Sequence, residues 1–197
     1  QLAEYHGRKY CAVVSSGTAA LELCGDIFNF SEEDEVIIPD HTIISCAYPI
    51  IRKGARPIYV NSDLNDWNVD IEAVTSSINE KTKAIIIPHL YGLPIDLTRL
   101  ESYCKSKKII LIEDNAELMG GVVNGRRCGS FGDCSILSFY ANKQITTGEG
   151  GAILTDSEEV FEKVKYYRNL CFKERRFIHD DIGHNFRMTN MQAALGL

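Results

Sequence analysis

No two cysteines in this chain are spaced C-x-x-C, no apolar run is long enough to cross a bilayer, and no dense cluster of lysine and arginine occurs. The first absence removes zinc knuckles, and the odd count of seven cysteines (positions 11, 24, 46, 104, 128, 134 and 171) gives no support to a disulfide framework. Most of them lie within apolar runs and read as reduced core residues of a cytosolic protein, so a cytoplasmic location is expected. The second absence excludes a spanning helix, and Gln1-Leu-Ala-Glu-Tyr-His carries no signal-peptide pattern. The third argues against nucleic acid. The formal net charge is −6, and the one basic cluster, Lys173 to Arg176, is broken by Glu174 and reads as a solvated loop. Internal repeats, low-complexity segments and linkers are also missing. There is no initiator Met, and the chain stops inside the apolar, helix-like Met191-Gln-Ala-Ala-Leu-Gly-Leu197. The expectation is a single domain, residues 1–197, incomplete at both ends.

What is present is enough for one well-buried core: 197 residues, 45% hydrophobic and 24% charged. Strand and helix patterns alternate. Tyr10–Ser15 reads as a strand and Thr18–Phe28 as a helix, with Leu21, Cys24 and Phe28 on one face. Glu35–Pro39 is a short buried strand, and Thr42–Arg52 an apolar helix ended by Gly54. Strands follow at Arg56–Val60, Lys83–His89, Lys108–Glu113, Cys134–Phe139 and Gly151–Leu154. Helices follow at Asp70–Ile78, capped by Asp70, at Leu97–Lys107, and after a capping box of Asp156 and Glu159. About seven strands with interleaved helices predict an α/β fold of three layers, αβα. Runs such as Ile85-Ile-Ile and Ile109-Ile-Leu-Ile are continuous and apolar, as strands of a mostly parallel sheet covered on both faces must be.

Chemistry concentrates in Ser138-Phe-Tyr-Ala-Asn-Lys143 and the following Thr147-Gly-Glu-Gly-Gly151. A solvated lysine, with a pKa near ~10.4, is a poor nucleophile at neutral pH. One held at the end of a buried strand is desolvated and can form a Schiff base with an aldehyde. Ser138 and the nearby glycine backbone could hold a phosphate, and together these residues suggest pyridoxal 5'-phosphate (PLP). Taken alone, Lys143 reads as a surface lysine in a loop, and only the rest of the chain overturns that reading. Ser16-Gly17-Thr18 opens the first helix and forms a phosphate cradle, or an ordinary N-cap by Ser16 or Thr18. Asp114 stands at the carboxyl end of a central strand, where open α/β sheets bind ligands. There it could pair with a pyridinium nitrogen or cap a helix over Ala116–Met119. Glu113 faces the other side. His89 and Tyr91 end another strand at the same edge, with a hydrogen-bonded structural histidine as the default, and Trp67 reads as packing. The order of phosphate loop, mid-chain acid, then serine and lysine is that of fold-type-I PLP enzymes.

These segments identify a family. Ser16-Gly-Thr-Ala-Ala-Leu21, Asp34-Glu-Val-Ile-Ile-Pro39, Trp67-Asn-Val-Asp70, His89-Leu-Tyr-Gly-Leu-Pro94, Ile112-Glu-Asp-Asn-Ala-Glu117, Gly129-Ser-Phe-Gly-Asp133, Ser138 through Gly151 and Gly183-His-Asn-Phe-Arg-Met-Thr-Asn190 resemble the DegT/DnrJ/StrS-type PLP-dependent nucleotide-sugar aminotransferases. Ala141 through Gly151 is most similar to perosamine synthases. The resemblance implies the large domain of the type I PLP-dependent transferase fold, with a smaller C-terminal domain absent from this chain. It implies transfer of an amino group from an amino acid, glutamate in the family, to a keto group of a nucleotide-linked 4-keto-6-deoxy sugar. It assigns Lys143 as the Schiff-base lysine, Asp114 as partner of the pyridine nitrogen, and Gly17, Thr18 and Ser138 as phosphate contacts. Glu117 falls near the cofactor's 3-hydroxyl. Asn185 matches an asparagine that reaches the cofactor phosphate of the neighbouring subunit, which implies a homodimer with shared active sites. Ile43 departs from the pattern, standing where many relatives place an aromatic residue against the ring. The competing readings are a sugar dehydratase of the same fold, a truncated non-catalytic domain, and a regulator with an aminotransferase-like fold. Dehydrating relatives carry histidine at the position of Lys143, which favours transamination.

Overall fold

A computed structural model describes residues 1–175 and 177–197; Arg176 of the basic cluster lies outside the described residues. The chain runs α1 (Leu2–His6), β1 (Tyr10–Val14), α2 (Gly17–Ile27), β2 (Glu35–Pro39), α3 (Tyr48–Arg52), β3 (Arg56–Val60), α4 (Ile71–Ser76), β4 (Thr82–Pro88), α5 (Thr98–Lys107), β5 (Ile110–Asp114), β6 (Val122–Val123), β7 (Arg126–Arg127), β8 (Cys134–Ser138), β9 (Gly151–Thr155), α6 (Glu158–Tyr167) and α7 (Asn190–Leu195). Seven strands form one sheet in the order β1-β9-β8-β5-β4-β2-β3. From β8 to β3 all neighbours are parallel, while β9 runs antiparallel to both β1 and β8. The mostly parallel, three-layer expectation holds.

Alternation along the strands explains the layers. Val36, Ile38, Ala84, Ile86 and Ile112 face one side, where they pack with Leu21, Cys24 and Ile27 of α2, Ile50 of α3 and Val164 of α6. Ile37, Ile85, Ile87 and Leu111 face the other, against Val74 of α4 and Leu97, Leu100 and Cys104 beside or within α5. With both faces covered, period-2 polarity disappears from the sequence and only continuous apolar runs remain. Seven free cysteines are present, six of them buried. Among the described residues no helix is long and apolar enough to cross a membrane.

Four local expectations are corrected. Thr42–Arg52 is not one helix but a 3-10 turn at Ile44–Cys46 followed by α3. An α-helix through this stretch would need Pro49 to donate an N–H to Ser45, and proline has none. The capping box of Asp156 and Glu159 does not form. Ser157 is the N-cap of α6, accepting from the Val160 N–H, because Arg8 Nη1 and the Lys9 N–H occupy the Asp156 carboxylate. No helix follows Asp114 over Ala116–Met119; residues 115–120 form turns and bends. Trp67 is not packed into the core. Its turn, closed by Trp67 N–H to Asp63 O at 3.0 Å, buries Asn68 and Val69 and leaves the indole 62% exposed. The hairpin β6–β7 was readable from Asn124-Gly125, whose φ values of 50° and 78° are the left-handed pair such two-residue turns require.

Candidate active site

The parallel strands end together. Pro39 pairs with Val60, Pro88 with Asp114, and Asp114 with Ile136, so the carboxyl ends of β2, β3, β4, β5 and β8 share one edge. Strand β1 joins this edge through Gly151, which pairs with Val14 on one side and Ser138 on the other. The first turn of α2 is therefore delivered against the end of β8.

That junction is tight. A Cβ on Gly17 would lie 2.9 Å from the Ser138 Cβ, and one on Gly151 would lie 2.6 Å from the Ser16 backbone, so both positions need glycine for the backbones to approach. Ser16 caps α2, its Oγ accepting from the Ala19 N–H at 3.0 Å. Ser15 to Thr18 with Ser138, Tyr140 and Glu149 line an open pocket of about 490 Å³. The leading N–H groups of α2 have no intrahelical acceptors and present a partial positive charge, the setting for a phosphate. Ser16 thus fills the capping role while Gly17, Thr18 and Ser138 sit together at the pocket.

Asp114 ends β5 with its carboxylate buried. Oδ1 accepts from the Ala116 N–H at 2.9 Å and Oδ2 accepts from the Cys46 thiol at 3.4 Å. Burial pushes its pKa up, against the lowering effect of these two bonds and of the Lys143 charge. Among the described residues no cation forms an ion pair with it. Lys143 lies on a turn rather than a strand, its own N–H bonded to Tyr140 O at 3.0 Å. Its Nζ lies 3.3 Å from Glu117 Oε1, and the Tyr91 N–H donates to Glu117 Oε2 at 2.9 Å. Glu117 thereby ties the lysine turn to the end of β4.

Glu113 points to the opposite face, as strand alternation requires. It accepts from His89 Nε2 at 2.9 Å, the Gly129 and Phe131 N–H groups at 2.8 Å each, and Ser135 Oγ at 3.1 Å. Burial alone would push this carboxyl up, but the His89 bond and the two backbone donors hold it below the usual range. His89 Nδ1 accepts from the Ile95 N–H at 3.1 Å, so the ring proton is on Nε2. His89, Glu113 and Cys128 bring possible metal-ligand atoms within 4.8 Å of one another. Both ring nitrogens of His89 and both carboxylate oxygens of Glu113 are already engaged in these hydrogen bonds.

Gly17, Thr18, Asp114, Glu117, Ser138 and Lys143 therefore share one edge of the sheet. Asn185 does not join them: it is exposed, bridged to Asn169, with its Oδ1 accepting from Arg187 Nε and Nη2. Ile43 is 56% exposed on the turn that carries Cys46. Residues missed in the sequence are Ser45, whose Oγ lies 2.9 Å from Thr18 Oγ1, and Cys46. An isolated cysteine in an apolar run carried no signal for a contact with a residue 68 positions away.

Fold and cleft together define an α/β domain with a lysine, a buried acid and a phosphate-type helix start at one sheet edge. A model of the DegT/DnrJ/EryC1/StrS aminotransferase family matches residues 1–197, and the chain belongs to that family. It is 40% identical over 198 residues to the GDP-perosamine synthase of Escherichia coli O157:H7, covering 100% of this chain and 54% of that protein. Among solved structures it superimposes on the aminotransferase of Psychrobacter cryohalolentis with a TM-score of 0.93 and 31% identity, over 99% of this chain and 52% of that one. It also superimposes on the E. coli GDP-4-keto-6-deoxy-D-mannose-3-dehydratase with bound hydrated PLP, with a TM-score of 0.91 and 30% identity, over 100% and 57%. The chain spans about half the length of the relatives it matches.

Proposed function

We propose that this chain is the PLP-binding large domain of a nucleotide-sugar aminotransferase. It would move an amino group from an amino acid, with glutamate as donor, to the keto group of a nucleotide-linked 4-keto-6-deoxy sugar. The observation that carries this reading is the meeting of Lys143, Glu117, Asp114 and the Gly17–Ser138 junction at one edge. The residues fit the cofactor. Asp114 is a buried carboxylate that forms no ion pair among the described residues, suited to a protonated ring nitrogen. Gly17, Thr18 and Ser138 would hold the phosphate, and Glu117 would stand at the 3-hydroxyl.

PLP supplies, when bound, an aldehyde that condenses with amines and a ring that draws electrons from the attached carbon. Lys143 Nζ is the amine that would hold that aldehyde. As a free amine, Nζ would serve as the group that carries a proton between the donor's α-carbon and the cofactor. Asp114 would keep the ring nitrogen protonated, and Glu117, 3.3 Å from Nζ, would position it. Lysine at 143, where dehydrating relatives carry histidine, favours transamination over dehydration. Relatives named as GDP-perosamine synthases support a GDP-linked sugar, and the proposal extends to a role in polysaccharide or O-antigen precursor synthesis. The exposed Asn185 is available to a neighbouring subunit, in keeping with a homodimer that shares its sites. Free, mostly buried thiols accord with a cytoplasmic location.

The test uses the full-length protein. Reconstitution with PLP should give the absorbance band of lysine-bound cofactor, and Lys143→Ala should abolish both the band and turnover of glutamate with a keto-sugar nucleotide. A band unchanged in Lys143→Ala removes this lysine from its role.

A further inference from the structure

We propose that Cys46 is a positioning residue: its thiol donates a hydrogen bond to Asp114 and keeps that carboxylate ionised and oriented for the cofactor's ring nitrogen. The inference deepens the functional reading above and rests on it. Cys46 is fully buried, and its Sγ lies 3.4 Å from Asp114 Oδ2. Thr42 Oγ1 donates to the same sulfur at 3.4 Å, which directs the single thiol hydrogen toward the acid. Burial, followed by the Asp114 charge, raises the thiol well above its ordinary pKa, so it stays a donor at neutral pH.

With the Ala116 N–H on Oδ1 and the thiol on Oδ2, each carboxylate oxygen has its own donor, and the group is held at both ends. A buried carboxylate with fewer donors would take up a proton and lose its attraction for a ring cation. The same five residues, Thr42 to Cys46, reach the phosphate end through Ser45 and Thr18. One turn thus links both ends of the cleft. Other groups face the pair from every side. Lys143 approaches from the turn after β8 and favours the ionised acid. Glu117 follows β5 and opposes ionisation of the thiol. His89, after β4, is engaged by Glu113. Cys24 of α2 lies 3.8 Å, sulfur to sulfur, from Cys134 of β8.

The test compares Cys46→Ala, which removes the donor, with Cys46→Ser, which restores one, in the full-length protein. In the cofactor-free protein, the infrared S–H band lost in Cys46→Ser should shift to higher frequency in Asp114→Ala. In the holoprotein, Cys46→Ala should weaken PLP binding ~5- to 10-fold and move the pH midpoint of the lysine-bound band, with Cys46→Ser within about twofold of wild type. Melting curves of each variant separate these effects from loss of fold. An S–H band indifferent to Asp114 overturns the inference. So do equal PLP affinity and midpoint in wild type, Cys46→Ala and Cys46→Ser. A wild-type protein with no Lys143-dependent band, but with an S–H band that responds to Asp114, overturns the functional reading and the positioning role with it.

Discussion

Glu113 and Asp114 are adjacent and buried, and their pKa values shift in opposite directions. Four donors surround Glu113, whereas Asp114 has two and is left with unmet demand for positive charge. The first residue stabilises the fold and the second is available to a ligand. A carboxyl whose pKa is lowered by folding adds stability above its unfolded pKa, near ~4.3, and loses it as pH falls through the folded value. Glu113→Gln replaces one acceptor oxygen with a donor amide facing other donors. It is expected to cost about 3 kcal/mol at pH 7, with the gap to wild type closing as pH drops below about 4. Denaturant unfolding of both proteins across that range measures it. Ile43 raises a separate point at this scale: if it stands over the ring, as the family resemblance implies, its aliphatic side chain would offer no stacking, and Asp114 and the phosphate contacts would carry more of the cofactor's affinity.

Among the elements, the junction of β1, β8, β9 and α2 decides whether a phosphate site exists at all. Strand β9 enters antiparallel between β1 and β8, and Gly151 lets the Ser16 backbone lie beside it. Gly17→Ala would push a methyl into the Ser138 Cβ at 2.9 Å. The variant is expected to lose ~10-fold or more in PLP affinity, read by titration of the lysine-bound band, and about 1–3 kcal/mol of stability from overpacking. The loop after hairpin β6–β7 donates to Glu113 through the Gly129 and Phe131 N–H groups, on the face of β5 opposite Asp114.

For the molecule as a whole, the proposed shared site makes a specific demand. If Asn185 serves the neighbouring subunit's cofactor, Lys143→Ala and Asn185→Ala should each be inactive as homodimers when asparagine is essential. Equal mixing with subunit exchange then produces heterodimers with one intact site, restoring about a quarter of wild-type activity by the statistics of a two-fold assembly. Mixtures no more active than the separate variants would place Asn185 in its own subunit's site or outside catalysis.

The fold class was legible because parallel strands covered on both faces must be continuous apolar runs, and helices between them must be amphipathic or buried. The family motifs then marked Lys143, Asp114, Ser138 and Gly17 by type and order. The sequence by itself determined the layers, the glycines and the chemical inventory. Tertiary structure alone decided the rest: that Trp67 faces outward, and that a thiol from one turn reaches an acid 68 residues away. Periodicity reports which way a residue faces within its own element. Contacts between elements depend on strand register and loop path, which no local pattern encodes.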